Sequence, residues 1–155
     1  MWISLMTRPD LAFDVNHLAT EVPNATVETV KKMNKLVKKA KSMREIMRFV
    51  RLGEISDLVV KLYTDASHMN HDGKVRSTEG RVIMIENSQN QKTCVVSWKT
   101  IKIPRICRSV KSAEIKALGD GIDEAIHKAR ILHEIYTGEI DLRNPKQIPV
   151  IAKTK

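Results

Sequence analysis

Apolar positions recur at helical spacing through the first fifty residues. Thr7-Arg8-Pro9-Asp10 offers a capping residue, a proline suited to a first helical turn and an acid for the positive end of a helix. Leu11, Val15, Leu18 and Val22 continue that spacing until Pro23-Asn24 interrupts it. A second helix is expected from Thr26, with Val27, Val30, Met33, Val37 and Ala40 on one stripe and Lys31, Lys32, Lys35, Lys38 and Lys39 off it. Gly53 punctuates the end of this block, which predicts a helical unit over residues 1–52.

The pattern then changes from helical period to β. Leu58-Val59-Val60-Lys61-Leu62-Tyr63-Thr64 is nearly continuous in apolar character and predicts a central strand covered on both faces. Arg81-Val82-Ile83-Met84-Ile85 and Thr93-Cys94-Val95-Val96-Ser97-Trp98 read as two further strands joined by a polar hairpin connection. A basic linker is expected from Lys99 to Arg108. From Ser109 a long helix follows, with Ala113, Ala117, Leu118, Gly121, Ala125, Ala129, Leu132 and Tyr136 on one broad face and Gly138 as its terminator. Ile148-Pro149-Val150-Ile151-Ala152 reads as one more strand. Two helices followed by β-β-β-α-β over residues 53–155 predict an α/β fold with a mixed sheet, because a helical crossover returns the chain parallel to an earlier strand.

Composition narrows the class. The chain has 155 residues, 42% hydrophobic and 29% charged, which supports a packed core and argues against a disordered chain. Lys+Arg 27 against Asp+Glu 18 gives +9, a surplus that attracts polyanions, nucleic acid above all. No apolar run is long enough to cross a bilayer, and no stretch has the aromatic-rich apolar face of an interfacial helix, so no membrane partner is expected. The N-terminus shows no secretory pattern. Cys94 and Cys107 lack metal-ligand spacing and are read as reduced thiols inside a cell.

Two acids stand out. Asp65 closes the first strand run, and Glu114 falls in the first turns of the long helix with its packing face. Carboxylates brought together by a crossover repel each other unless a divalent cation lies between them, and hard oxygen donors select Mg²⁺ or Mn²⁺. Spacing alone leaves a second reading open, in which Asp65 caps a turn and Glu114 interacts with the helix dipole.

The residues also carry a resemblance. Thr7-Arg8-Pro9-Asp10, within the segment from Met1 to Phe13, resembles a sequence near the end of the reverse transcriptase in copia-type retrotransposon polyproteins. Tyr63-Thr64-Asp65-Ala66-Ser67 resembles the first catalytic strand of the adjoining ribonuclease H domain. In order along the chain, Arg76-Ser77-Thr78-Glu79-Gly80, Val96-Ser97-Trp98-Lys99 and Lys111-Ser112-Ala113-Glu114 resemble its later signatures. The resemblance implies a ribonuclease H-like sheet and hydrolysis of RNA in an RNA–DNA hybrid with two Mg²⁺ or Mn²⁺ ions. It implies that Asp65 bridges both ions and that Glu114 binds one. It also implies an intracellular setting, in the cytoplasm, in virus-like particles or in the nucleus, with the remaining polyprotein segments as partners.

One departure matters. The family carries a third acid after the fourth strand and a fourth on a later helix, whereas this sequence reads Ile151-Ala152-Lys153-Thr154-Lys155. Two carboxylates oppose a two-ion charge poorly, so the expectation is a fragment with weak or absent cleavage by itself, or a nucleic-acid-binding remnant without chemistry. Candidate phosphate contacts are Lys31, Lys35, Lys38 and Lys39 in the helical unit, and Arg76, Lys99, Lys102 and Arg105 near the proposed site. A solvated helix face is the alternative for the first four. Trp98 reads either as a stacking side chain or as strand core, and His68 and His71 receive no role.

Overall fold

The computed structural model describes residues 2–42, 47–68, 77–141 and 143–154. The chain forms two units, Met1–Arg48 and Phe49–Lys155. The first contains α1 (Trp2–Met6), α2 (Ala12–Glu21) and α3 (Val27–Ser42). The second contains β1 (Leu58–Ser67), β2 (Thr78–Asn87), β3 (Thr93–Lys102), α4 (Val110–Thr137) and β4 (Val150–Thr154). Its architecture is mixed α/β, with four strands in the order β3-β2-β1-β4. The β1–β2 and β2–β3 pairs are antiparallel, and β4 runs parallel to β1.

In the first unit, polar anchors decide how α3 lies on α2. Arg8 grips Asp10 with two hydrogen bonds of 2.8 Å and donates a third, of 3.1 Å, to the Ala40 carbonyl. The fork lowers the pKa of Asp10 through the Arg8 hydrogen bonds. At the other end of α3, Thr26 and Thr29 exchange side-chain and backbone hydrogen bonds in a reciprocal cap, and Thr29 donates to Glu21 at 3.0 Å. Lys32 bonds Glu21 and Lys39 bonds Asp14, each at 2.9 Å. These contacts turn Thr29, Leu36 and Ala40 toward α2. The stripe expected to be the packing face is instead largely open: Val27, Val30, Met33 and Val37 are all exposed. Capping and ion pairing, neither visible in an apolar periodicity, rotate the helix.

In the second unit the core lies between α4 and one face of the sheet. Leu58, Val60 and Leu62 of β1 and Ile83 of β2 are almost wholly buried there, each contributing about 1.5–3 kcal/mol of hydrophobic stabilisation. The facing stripe of α4 is Ala113, Ala117, Gly121, Ala125 and Ala129, small at every fourth position. That stripe lets the helix come close. A Cβ on Gly121 would stand 2.8 Å from Thr64 Cγ2 and 3.1 Å from Leu62. Ser109 caps the helix by accepting from the Ser112 N–H at 3.1 Å, and Gly138 ends it at φ 70°, where a side chain would be strained.

The expectation of a first strand covered on both faces is corrected: β1 is central in the sheet, but its exposure alternates, and only one of its faces meets the core. The segment expected as a linker from Lys99 is also corrected, since β3 continues to Lys102. A bulge at Val96 shifts the register between Ile83 and Met84. It keeps Cys94 and Ser97 on the covered face while Val95 and Trp98 take the open one. Both cysteines are buried free thiols.

Candidate nucleic-acid and carboxylate site

The C-terminal end of β1 is tied to the start of α4 by a small satellite core. Ile103, Cys107 and Ala113 pack together with Ala66 against them. His68 Nε2 donates to the Cys107 carbonyl at 2.9 Å, and the Ile103 N–H donates to the Ser77 carbonyl at 2.8 Å. His68, without an assigned role in the sequence, thus holds the segment between β3 and α4 against β1. Each proposed acid neighbours a member of this cluster: Asp65 precedes Ala66, and Glu114 follows Ala113.

The side chains of the two acids differ in setting. Asp65 lies inside β1, paired with Gly80, and is exposed on the face away from α4. Glu114 is half-buried on α4, beside the alanine stripe. Gly80 puts no side chain next to Asp65, and a Cβ there would meet nothing within 4 Å. Among the described residues neither carboxylate has a hydrogen-bond or ion-pair partner, and no three His, Cys, Asp or Glu side chains converge as a metal-holding group. The donor chemistry suits a hard cation such as Mg²⁺, whereas the number of converging donors among the described residues falls short of an all-protein cage. The β1–β4 register ends at Thr64 opposite Thr154, one position before Asp65.

The predicted phosphate contacts fall into three groups. Lys31, Lys35 and Lys38 are exposed on α3 at spacing that forms one basic flank, separate from the exposed flank of Val30, Met33 and Val37. Lys39 is committed to Asp14. Lys35 and Lys39 also line a groove of about 500 Å³ between α2 and α3, floored by Leu18 and Leu36. Lys99, Lys102 and Arg105 are exposed, the first two on the edge strand β3 and the third just beyond it. Arg76 and His71 lie outside the described residues.

Sequence reasoning missed an ionic cluster under α4. Arg81 donates to Glu79 at 3.0 Å and its Nε lies 2.8 Å from Glu124, which accepts from Ser97 Oγ at 2.7 Å. Glu79 is 2% exposed and Arg81 side-chain exposure is 8%. Burial raises the Glu79 pKa; Arg81 opposes the shift and Asp120 adds to it. Its Oε2 and the Thr64 hydroxyl are buried without a hydrogen-bond partner among the described residues. The local signal was Glu79-Gly80-Arg81, which places opposite charges on one face of a strand, a pattern that by itself does not distinguish a covered strand face from a solvated one.

No helix among the described residues is long and apolar enough to cross a membrane. The chain matches no family model, no curated protein and no solved structure.

Proposed function

We propose that the second unit is a ribonuclease H-like domain of a copia-type retrotransposon polyprotein, acting on the RNA strand of RNA–DNA hybrids, and that the first unit is the helical end of the adjoining reverse transcriptase. The observation that carries the reading is the topology around the two acids. An antiparallel β1-β2-β3 meander is followed by a helix and a strand parallel to β1, with Asp65 near the end of β1 and Glu114 in the first turns of α4. The motif order in the sequence supports the same assignment.

In this reading Asp65 and Glu114 supply oxygen donors, and a bound pair of Mg²⁺ or Mn²⁺ ions would supply an activated water and charge stabilisation at the leaving oxygen. The chain's own contribution is positional. The Ala66–Ala113 cluster fixes the acids' backbones, Gly80 keeps the Asp65 carboxylate accessible, and Lys99, Lys102 and Arg105 give the polyanionic backbone a cationic flank. With two candidate donors, slow cleavage is expected. A non-catalytic binding role is the second reading, favoured by the exposed basic residues and by the absence of a third converging acid among the described residues.

The test is cleavage of a labelled RNA–DNA hybrid with Mg²⁺ or Mn²⁺ by this chain, by Asp65→Asn and Glu114→Gln variants, and by a chain extended beyond residue 155. Metal-dependent cleavage lost in both variants establishes the enzyme reading. Hybrid binding without cleavage, even in the extended chain, establishes the binding reading. Failure to bind or cleave a hybrid overturns both.

A further inference from the structure

We infer that Glu79 is a proton-operated latch for the first half of α4: with the carboxyl neutral the helix start lies closed on the sheet, and with the carboxylate charged it opens locally. Unsatisfied polar atoms concentrate beneath that half. The buried side-chain polar atoms without a hydrogen bond among the described residues are Thr64 Oγ1, Glu79 Oε2 and Arg81 Nε. All of them lie at one place. Thr64 pairs with Arg81 across β1 and β2, and Glu79 pairs with Ala66 at the next position of the same face. α4 covers that face, with Gly121 so near that a Cβ on it would stand 2.8 Å from Thr64 Cγ2.

The charges there do not balance while both acids are ionised. Arg81 is shared, its Nη1 lying 3.0 Å from Glu79 and its Nε 2.8 Å from Glu124. Of the other charged groups that face Glu79, Lys116 is tied to Asp120 on α4, and Lys99 stands exposed on β3 opposite Arg81. β1 brings only the uncharged Thr64 and Ala66 to this spot. Two carboxylates therefore divide one buried cation, and the Glu79 side chain, at 2% exposure against 23% for Glu124, is the less hydrated of the two. Burial favours its neutral form and Asp120 adds to that, while Arg81, Lys116 and Lys99 oppose it.

The helix start is the part that gives way. Beyond Gly121, α4 joins the main core through Ala125 and Ala129, with Ile122 and Leu132 packed on it. Before Gly121, Leu118 is only half-buried against that core, and the remaining apolar hold is the satellite core of Ile103, Cys107 and Ala113. Ala117 is 1% exposed yet belongs to neither cluster. A segment with so little apolar burial opens at a lower free energy than the core. Lys116, Asp120 and Glu124 recur every fourth residue on one flank of α4 and are half-buried, so water already reaches that flank. Asp65 is on the other face of β1, and Glu114 is on the other flank of α4 with Leu118, so neither belongs to the latch. The half that opens carries Glu114, but the inference needs no catalytic role for it.

Amide hydrogen exchange of the full chain, read by NMR from mildly acidic to slightly alkaline pH and corrected for intrinsic base catalysis, tests the latch. Protection of residues 113–121 is expected to be lower than that of residues 125–132. It should fall as pH rises, by up to about tenfold per pH unit between the titration points of the closed and open forms. It should also respond little to dilute urea, since local opening exposes little surface. In the same chain the Glu79 carboxyl carbon should titrate above the ordinary carboxylate range, a readout that needs no variant. Glu79→Gln is expected to remove the fall in protection. A Glu79 carboxyl that titrates in the ordinary range overturns the inference, as does pH-independent protection of residues 113–121. Equal protection and equal urea response in the two halves overturn it too, because the helix would then open only with the whole unit. A pH dependence that survives in a folded Glu79→Gln chain belongs to another group, such as His68 at the Cys107 carbonyl, and likewise overturns it.

Discussion

The two faces of the sheet come from the same four strands and differ in what covers them. Toward α4, the strands present Leu58, Val60, Leu62 and Ile83, sealed by alanines, with an ionic cluster at one end. Away from α4, the same strands present Val59, Lys61, Tyr63, Val82, Met84 and Trp98, with the Lys61–Glu86 ion pair and the Lys153 cation near the Tyr63 ring. The difference teaches that apolar content does not identify a buried face. Partner geometry does: the almost wholly buried strand side chains lie on the face opposed by the small-residue stripe of α4.

The sharpest way to break the covered face is Arg81→Met. It removes the cation between Glu79 and Glu124 and leaves the buried Glu79 carboxylate without its counter-charge, at an expected cost of about 3–5 kcal/mol. Urea unfolding monitored at the sheet measures it. An equal substitution on the open face, Tyr63→Leu, should change stability far less, so comparable losses would break the distinction drawn between the faces.

Gly121→Ala tests the close approach of α4. The new Cβ would require Thr64 or Leu62 to move, and overpacking of this kind costs about 1–3 kcal/mol, partly offset by the better helix propensity of alanine. Thermal unfolding should show a lower midpoint than for Gly119→Ala, where a Cβ meets nothing within 4 Å.

Proton linkage gives a smaller effect with a definite sign. Burial raises the Glu79 pKa above its unfolded value, so the folded chain binds that proton more tightly. The corresponding stability is present below the unfolded pKa and is lost as pH rises through the folded pKa. Glu79→Gln should therefore unfold at a higher midpoint than the parent at neutral pH and show less decline between mildly acidic and neutral pH. A parent-like pH curve in the variant would exclude Glu79 as its source.

On the open face, Lys61→Ala should have the smallest effect on stability, because its ion pair with Glu86 is only partly buried and both side chains keep contact with water. The Glu86 hydrogen bond raises the Lys61 pKa, so its stabilisation is present below the unfolded lysine pKa and fades only as pH rises through the folded one. A neutral-pH unfolding midpoint close to the parent's checks the first statement, and an alkaline titration checks the second.

Much of the second unit was legible along the chain. The order of three strands, a long helix and a further strand followed from changes of period, and Ser109 and Gly138 marked the helix ends by capping chemistry. Legibility failed where distant residues decide orientation. The segment after Trp98 looked like a linker because it is basic and contains Pro104, and the Val27–Val37 stripe looked like a packing face because its periodicity carries no information about a partner. The two candidate acids could be named from sequence, but their different exposures depend on strand alternation and on where Ala66 meets Ala113.

By itself, then, the sequence determined the alternation of period, the helix caps, the charge surplus and the pair of acids, because each is a property of local spacing or composition. The tertiary structure alone decided which face of each element is buried, that Glu79 and Arg81 meet beneath α4, and that Tyr63 and Trp98 share a row on the open sheet. Those properties depend on which strands pair and in what register, and residues far apart in the chain acquire a common environment only when backbone hydrogen bonds and the close-packed alanine stripe bring them together.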